Sequence, residues 1–367
     1  MKRRLWIVGG LLLFAAAVLL FRTPLRKWYN RQYNRPPVSS GTFQNPEAIA
    51  FDADGSLYVG DQDLSAILVF DPAGKPKSVI KMVEGYLDGD GRPGPISRGL
   101  YMVFPEPGRL LFVARHNIVE LDVTGPTPKL LRTIGKRGSA PGEMDGPEGI
   151  SLDANGDLYA TDEHNRRINV WDKERRYLRS WSVPEDPQCV LVHGDRVYVS
   201  LNKRNYIAAY SKEGVELFRV GHAALYEVLL WIGLPAAAVA GLVLALLKRP
   251  RAAIAAALLL GLATAAACGW DAWRHGGPGE TRHPDHMVLS PDGKRLYVAD
   301  RFNGRVQVFD PEGRFLFGFG KEGASPGHFQ DPIGMAFDRE GNLWVADSGN
   351  HRLQVFTADG KFVRALQ

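Results

Sequence analysis

GKRGSAPGEMDGPEGISLDANGDLYATDEHNRRINVW (residues 135–171) and GKEGASPGHFQDPIGMAFDREGNLWVADSGNHRLQVF (residues 320–356) repeat one another almost position by position. Both contain a G-K-x-G-x-x-P-G loop, a P-x-G step, an apolar stretch, a D-x-x-G turn and a second apolar stretch that ends in Asp. A unit of about 40–50 residues built from short strands is typical of a β-propeller, with one small sheet per unit. These two stretches therefore indicate the fold class.

Four more copies of the unit are present, at residues 43–70, 108–122, 195–210 and 283–309. Two of them are degenerate, because Arg115 and Leu201 stand where the other copies have the strand-ending Asp. The D-x-x-G turns suit tight reversals between strands, since Asp bonds its own backbone and Gly accepts positive φ. We therefore predict an all-β, six-bladed β-propeller, with blades 1–4 in residues 42–221 and blades 5–6 in residues 276–367.

The end of the last copy, VADSGNHRLQVF, resembles the motif of NHL repeats. The matching residues are Asp347, Asn350, His351, Arg352, Gln354, Val355 and Phe356. The resemblance extends over most of the chain and implies a propeller. It leaves the function open, because propellers of this family serve as RNA-binding, protein-binding, sensor and enzyme domains.

The Asp that ends the second strand is expected to cap backbone N–H groups of the loop that follows it. The residues concerned are Asp61, Asp162, Asp300 and Asp347. This is a structural role, and it competes with any role of these carboxylates in binding.

Three apolar runs lie outside the repeats, at residues 5–21, 225–247 and 252–269. Each is long enough, or nearly so, to cross the roughly 30 Å hydrocarbon core of a bilayer as a helix. We predict an uncleaved signal anchor (1–22), a linker (23–41) and a transmembrane hairpin (222–275) inserted between blades 4 and 5. A cleaved signal peptide and a buried helical hairpin are the alternatives.

Cations set the predicted topology. Lys2–Arg4 and the hairpin tip Lys248–Arg251 both favour the cytoplasmic side of the membrane. One crossing then takes the chain out, and the hairpin enters and returns. The cations between Arg22 and Arg35 oppose this orientation, because they would lie outside. We predict a protein of the inner or plasma membrane with an extracytoplasmic propeller.

The distribution of charge disfavours nucleic acid as a partner. The whole chain has a net charge of +5, but residues 1–36 hold eight Lys and Arg and no acid. Outside residues 1–36 and 222–275 the chain carries 33 basic and 38 acidic residues. A nucleic-acid-binding domain usually carries a basic face. RNA binding by a cytosolic propeller therefore stays only as an alternative.

Both predicted membrane tethers leave the propeller between an outer strand and the next inner strand. In an antiparallel four-stranded blade these connections lie on the same face as the loops after the second strand. That face should look toward the membrane, where its basic residues could meet anionic headgroups or a membrane partner. Its candidate residues are Arg115, His116, His164, Arg166, Arg167, Lys203, Arg204, Arg301, Arg305, His351 and Arg352. The competing interpretation pairs these cations with the strand-ending Asp residues.

Candidate chemistry centres on the inner strands. His286 takes the Gly position of P-x-G, and Glu47, Glu148 and Asp285 take the x position. The chain is also similar to the propeller lyase of the peptide-amidating enzyme, which implies channel histidines on zinc, although His286 alone lies near a matching position. A hydrolase or lactonase with calcium among the three acids is the other enzymatic alternative. No cofactor is predicted by the leading interpretation.

That leading interpretation is a binding, scaffold or sensor module for a protein, peptide, glycan or envelope ligand. The sequence contains no G-x-S-x-G, no H-E-x-x-H and no P-loop motif. Propeller faces are rigid surfaces built from loops, and such surfaces suit binding.

Overall fold

Each repeat folds into one antiparallel sheet of four strands, in chain order from the inner to the outer strand. The computed structural model describes residues 42–93, 100–221 and 277–367. Blade 1 comprises β1 (Pro46–Phe51), β2 (Leu57–Asp61), β3 (Ala66–Phe70) and β4 (Pro76–Ile80). Blade 2 comprises β5 (Leu100–Glu106), β6 (Arg109–Val113), β7 (Ile118–Asp122) and β8 (Lys129–Ile134). Blade 3 comprises β9 (Ile150–Leu152), β10 (Leu158–Asp162), β11 (Arg167–Trp171) and β12 (Tyr177–Ser182).

The second half of the ring has the same arrangement. Blade 4 comprises β13 (Pro187–His193), β14 (Arg196–Leu201), β15 (Tyr206–Ser211) and β16 (Glu216–Val220). Blade 5 comprises β17 (Pro284–Leu289), β18 (Leu296–Asp300), β19 (Arg305–Phe309) and β20 (Phe315–Phe319). Blade 6 comprises β21 (Pro332–Phe337), β22 (Leu343–Asp347), β23 (Arg352–Phe356) and β24 (Phe362–Leu366). The predicted all-β, six-bladed propeller is confirmed.

Burial follows the position of a strand within its blade. The second strands are buried along their whole length, as in Leu57–Asp61 and Leu296–Asp300. The outer strands are mostly exposed, as in Pro76–Ile80. Neighbouring blades cover both faces of the inner and second strands. The core therefore lies between blades rather than under a single sheet. This explains why the second strands are almost continuously apolar while the outer strands are polar.

The ring closes where inner strand β21 of blade 6 packs on β1 of blade 1. The Gly of P-x-G makes this close approach feasible. A Cβ on Gly334 would lie 2.4 Å from the Glu47 carbonyl oxygen. The same close approach recurs between blades 3 and 4, where a Cβ on Gly149 would lie 2.7 Å from the Gln188 carbonyl oxygen. The Ser348 hydroxyl adds a hydrogen bond to the carbonyl of Pro46 across the same closure.

The backbone N–H groups that the strand-ending carboxylates accept lie mainly in the segment that precedes the inner strand, which corrects the expectation of a backbone cap on the following loop; that loop and the third strand contribute side-chain donors. Asp347 accepts a hydrogen bond from the backbone N–H of Gln330 at 2.6 Å, and Asp162 accepts one from Asp145 at 2.7 Å. Asp61 alone of the four also binds a backbone N–H of the following loop, at Leu64. The reason is that each carboxylate points toward the connection that enters the inner strand, which lies beside the loop after the second strand.

Blade 2 departs from the sequence prediction at one position. Strand β6 ends at Val113, which pairs with Ile118 as Asp61 pairs with Ala66. Val113 and not Arg115 therefore takes the place of the strand-ending Asp, and Arg115 lies exposed in the loop. In blade 4, Leu201 ends β14 as predicted.

The predicted anchor (1–22), linker (23–41) and hairpin (222–275) lie outside the described residues, so they stay predictions. Within residues 42–93, 100–221 and 277–367, no helix has the length and apolar character that a membrane crossing requires. The helical turns in these ranges are single 3-10 turns, at Asn202–Arg204, Arg301–Asn303 and Ser348–Asn350.

Candidate functional site

The loops between second and third strands lie beside the connections that enter the inner strands. Gln62 N donates to Asn45 O at 3.0 Å, and Glu163 N donates to Gly146 O at 3.1 Å. We call the face formed by these loops and connections the upper face. The D-x-x-G turns, such as the one from Asp52 to Gly55, form the opposite, lower face. The structure thus brings the predicted candidate residues to one face.

Three of the predicted binding residues belong instead to the framework of the blades. Arg352 Nε donates to the buried Asp347 carboxylate at 2.7 Å, and its side chain is only 6% exposed. Its two terminal nitrogens donate to the carbonyl oxygens of Ala324, Ser325 and His328. The NHL-like Arg therefore ties the K-x-G-x-x-P-G loop to the strand-ending Asp.

Arg167 and Arg305 repeat this arrangement in blades 3 and 5. Their Nε atoms each lie 2.8 Å from the carboxylates of Asp162 and Asp300. Arg167 also donates to the carbonyl oxygens of the loop at residues 139–143, and Arg305 to those at residues 277–280. For Arg167, Arg305 and Arg352, the alternative prediction that each cation pairs with a strand-ending Asp is confirmed.

His351 also has a structural position. It adopts a left-handed backbone with φ of 54° and its Nδ1 lies within hydrogen-bond distance of the Gln44 carbonyl oxygen. That contact joins blade 6 to the segment entering blade 1. His351 therefore supports ring closure.

The exposed cations of the upper face cluster on blades 3 and 4. The side chains of Arg166, Lys203 and Arg204 are 60%, 64% and 55% exposed. Asp186 pairs with both Arg166, at 3.1 Å, and Lys203. Glu185 accepts the backbone N–H of Arg204, and its burial raises the pKa of its carboxyl. Arg166, Lys203 and Arg204 are thus each close to a carboxylate and also exposed to solvent.

The predicted residues His116 and His164 flank the carboxylate of Asp145. Their Nδ1 atoms lie 3.3 Å and 3.7 Å from Asp145 Oδ1. Burial lowers the pKa of His116, which is nearly enclosed, and its Nδ1 also receives the backbone N–H of Gly146. His164 is exposed at the surface.

Six residues at the start of the inner strands surround the propeller axis. They are Glu47, Tyr101, Glu148, Gln188, Asp285 and Ile333. The P-x-G pattern predicted Glu47, Glu148 and Asp285 at this position, but it missed Tyr101 because blade 2 has no P-x-G step. Register identifies it: Leu100 pairs with Val113 as Pro46 pairs with Asp61, so Tyr101 takes the x position.

Tyr101 occupies the axis itself. It lies in a β-bulge and has φ of 42°, an unusual backbone for a bulky residue. Its hydroxyl donates to Asp285 of blade 5, with Oδ1 at 3.2 Å, and its ring centroid lies 4.8 Å from that of His286. Blades 2 and 5 face each other across a ring of six, so this side chain spans the channel. Burial raises the pKa of Tyr101 well above its ordinary value.

Both carboxylate oxygens of Asp285 have protein partners. Besides Tyr101, its Oδ2 lies 3.1 Å from Arg301 Nη1, and Arg301 Nε lies 3.3 Å from Asp331 Oδ1. The predicted binding residue Arg301 is therefore held between two carboxylates near the axis. Glu47 accepts a hydrogen bond from the Asn45 side chain at 3.1 Å.

His286 is arranged poorly for binding a metal. Its Nδ1 receives the backbone N–H of Met335 at 3.0 Å, so a neutral ring carries its proton on Nε2. A metal would need a bare ring nitrogen that points away from such a donor. Among the residues that the structure describes, no three His, Cys, Asp or Glu side chains converge as a metal site would require.

His286 should make stability depend on pH. Burial lowers the pKa of His286 from 6.5 to about 4. The folded state therefore disfavours the protonated ring, and stability should fall as pH decreases from 6.5 toward 4. The loss is about 3 kcal/mol once both states are protonated. Urea unfolding of the wild type and His286→Gln over this pH range checks it: the variant should have a shallower slope, with the remainder due to His116 and His283, whose pKa values burial also lowers. An equal slope in both would contradict the assignment.

Comparisons with known proteins agree with this architecture. The NHL repeat family matches residues 329–356, and the strictosidine synthase-like N-terminal family matches residues 39–63. A search of curated protein sequences finds no match.

Solved structures share the fold at low sequence identity. A catalytically inactive virginiamycin B lyase from Staphylococcus aureus, solved with quinupristin, is 14% identical with a TM-score of 0.52, covering 89% of this chain and 85% of its own. An auxiliary nutrient binding protein from Bacteroides ovatus is 17% identical with a TM-score of 0.55, covering 85% of this chain and 69% of its own. At these identities the likeness shows the propeller fold alone.

Proposed function

We propose that this NHL-repeat β-propeller is a membrane-anchored, extracytoplasmic binding module that holds its upper face toward the bilayer. The ligand class we favour is a protein, peptide or envelope component that meets the propeller at the membrane surface. One observation carries the proposal. The described chain ends that lead to the predicted membrane segments, near Gln44, Gly221 and Gly277, all lie on the upper face.

Contacts at these ends support that placement. Gln44 N donates to Asp61 Oδ2 at 2.7 Å, which fixes the entry to blade 1 beside a second-strand loop. A Cβ on Gly221 would lie 2.4 Å from the Thr281 hydroxyl, and that hydroxyl donates to Asn205 O at 2.6 Å. The exit from blade 4 and the entry to blade 5 therefore lie together, beside the loop that contains Lys203.

The chemistry of the face is consistent with a surface that meets anionic headgroups. The exposed cations Arg166, Lys203 and Arg204 lie at its edge, and the connection into blade 2 exposes Met82. Cations near an anionic membrane are attracted by about 1 kcal/mol each. At the axis, Asp285 is bonded to both Tyr101 and Arg301, which favours a fixed framework over a reacting centre at these residues.

The membrane-facing orientation can be tested with the full chain in vesicles. A dye on Asp63→Cys, in an exposed upper-face loop, reports proximity to a quencher on lipid headgroups. Neutralising Arg166, Lys203 and Arg204 together to Gln should reduce quenching in vesicles that contain phosphatidylglycerol and leave it unchanged in pure phosphatidylcholine. The physical reason is the loss of three charges' attraction to anionic lipid.

A matched control is present on the lower face. Lys173, Arg176 and Arg314 are 68%, 75% and 78% exposed and also have acidic partners. Their triple replacement by Gln removes the same charge and should leave quenching as in the wild type. Equal quenching by both triple variants would overturn the orientation. A reporter enzyme at the C-terminus tests the compartment separately, and activity on the cytoplasmic side would refute the extracytoplasmic placement.

A further inference from the structure

One of the lower-face turns contains Arg where its counterparts contain Gly. The β3–β4-type turns of blades 1, 4, 5 and 6 end in Gly74, Gly214, Gly313 and Gly360, all with φ between 78° and 86°. In blade 3 that position is Arg175, with φ of 68°. Its N–H closes the same turn, donating to Asp172 O at 2.8 Å. A bulky residue in this backbone region is strained, and such strain clusters at functional sites.

The Arg175 side chain is also incompletely satisfied. Its Nη1 donates to the carbonyl oxygens of Gly156, at 2.9 Å, and Asp172, at 3.4 Å. Its Nε is buried and has no hydrogen-bond partner in the described part of the chain. A buried donor without a partner is costly. Two unfavourable features therefore meet in one residue.

No carboxylate in the described ranges pairs with Arg175. Asp172 of the same turn binds Arg176 at 2.6 Å. Glu120, the nearby buried acid, binds Arg132 at 2.9 Å. Burial lowers the pKa of Arg175, since the charged guanidinium is partly removed from water. The cation is thus half-buried with only carbonyl oxygens as partners.

Arg175 lines a groove of about 570 Å³ between the outer edges of blades 2 and 3. Other lining residues are Arg132, Lys136, Pro141, Glu143 and Tyr177. Lys136 pairs with Glu143 at 3.3 Å, so the groove keeps an excess of positive charge. The equivalent turn of blade 6 has Gly360 in place of Arg175.

We propose that this groove binds an oxyanion group, a carboxylate or a phosphate, on Arg175. An oxyanion in the groove would compensate the charge of the Arg175 guanidinium, because Arg is a preferred partner of carboxylate and phosphate groups. The guanidinium now has only carbonyl oxygens as hydrogen-bond partners in the described ranges, and its buried Nε stays out of the ligand's reach. Arg175 lies in a lower-face turn, whereas Lys136, Pro141 and Glu143 belong to the connection from β8 to β9. The test is made in detergent and varies Arg175 alone, so it does not depend on the membrane-facing orientation.

The test uses the full chain in a non-ionic detergent, with inorganic phosphate and acetate as probes and sodium chloride at matched ionic strength. Either probe should raise the midpoint of thermal unfolding of the wild type above the sodium chloride control. Phosphate alone would identify a phosphoryl ligand, acetate alone a carboxylate, and both results support the site.

The decisive variant is Arg175→Gly, because four sibling turns already fold with Gly. It should unfold at a higher temperature than the wild type without a probe, since the strain is gone, and its apparent affinity for the probe should fall at least tenfold. Arg176→Gln, which neutralises the exposed neighbour, should respond as the wild type does. An undiminished response in Arg175→Gly, or no response of the wild type to either probe, would overturn the proposal.

Discussion

Replacing Asp347 with Ala should lower the free energy of unfolding by about 3–5 kcal/mol, because it leaves Arg352 as a buried charge without its partner. The Asp347 carboxylate accepts from Gln330 N at 2.6 Å, Asn350 Nδ2 at 2.8 Å, Arg352 Nε at 2.7 Å and Gln354 Nε2 at 2.9 Å. Urea unfolding monitored by tryptophan fluorescence measures the loss.

Asp359 provides the control for the Asp347 experiment. It pairs with Arg295 at 2.9 Å, but its side chain is 73% exposed. Exposed ion pairs contribute about 0–1 kcal/mol, so Asp359→Ala should be close to neutral. Losses of similar size in the two variants would contradict a framework role for the NHL-like motif.

Replacing Tyr101 with Ala should destabilise the propeller by about 3–5 kcal/mol, the usual cost of removing a buried aromatic side chain. The ring fills the axis between blades 2 and 5 and is 8% exposed. Its loss removes the tilted ring contact with His286 and the hydrogen bond to Asp285. Chemical unfolding of the variant checks the magnitude.

Tyr101→Phe separates packing from hydrogen bonding at the same position. It keeps the ring and the strained backbone and removes only the hydroxyl, so it should cost about 1 kcal/mol. Asp285 would keep its bond to Arg301. If Tyr101→Ala were no worse than Tyr101→Phe, the ring would not seal the axis.

These framework roles bear on the enzymatic alternatives. A lyase or hydrolase needs groups at the axis that can reach a substrate or hold a metal. Here Asp285 is bonded to Tyr101 and Arg301, and the Nδ1 of His286 receives a backbone N–H. The arrangement therefore supports the proposed binding function over channel chemistry at these residues.

The repeat pattern predicted the number of blades and most strand positions. P-x-G, D-x-x-G and the strand-ending Asp are local signals, because each specifies a turn, a close backbone approach or a buried acceptor within a few residues. Even the degenerate blade 4 was placed correctly at Leu201. The same signals assigned Glu47, Glu148 and Asp285 to the inner-strand starts.

Where these signals are missing, the sequence did not locate the important residue. Blade 2 lacks both P-x-G and the strand-ending Asp, so Tyr101 went unrecognised and Arg115 was placed at the strand end. Tyr101 acquires its role from a bulge in β5 and from Asp285, 184 positions away in the chain. Only closure of the ring brings those two blades to face each other.

The adjacent residues Arg166 and Arg167 show most clearly what the sequence determines and what the tertiary structure determines. The sequence placed both on the face of the second-strand loops. Tertiary structure separated them: Arg166 is 60% exposed beside Asp186, whereas Arg167 is 14% exposed and bound to Asp162. The physical reason is that neighbouring side chains point in different directions, and only the packing of blade against loop decides which one is buried.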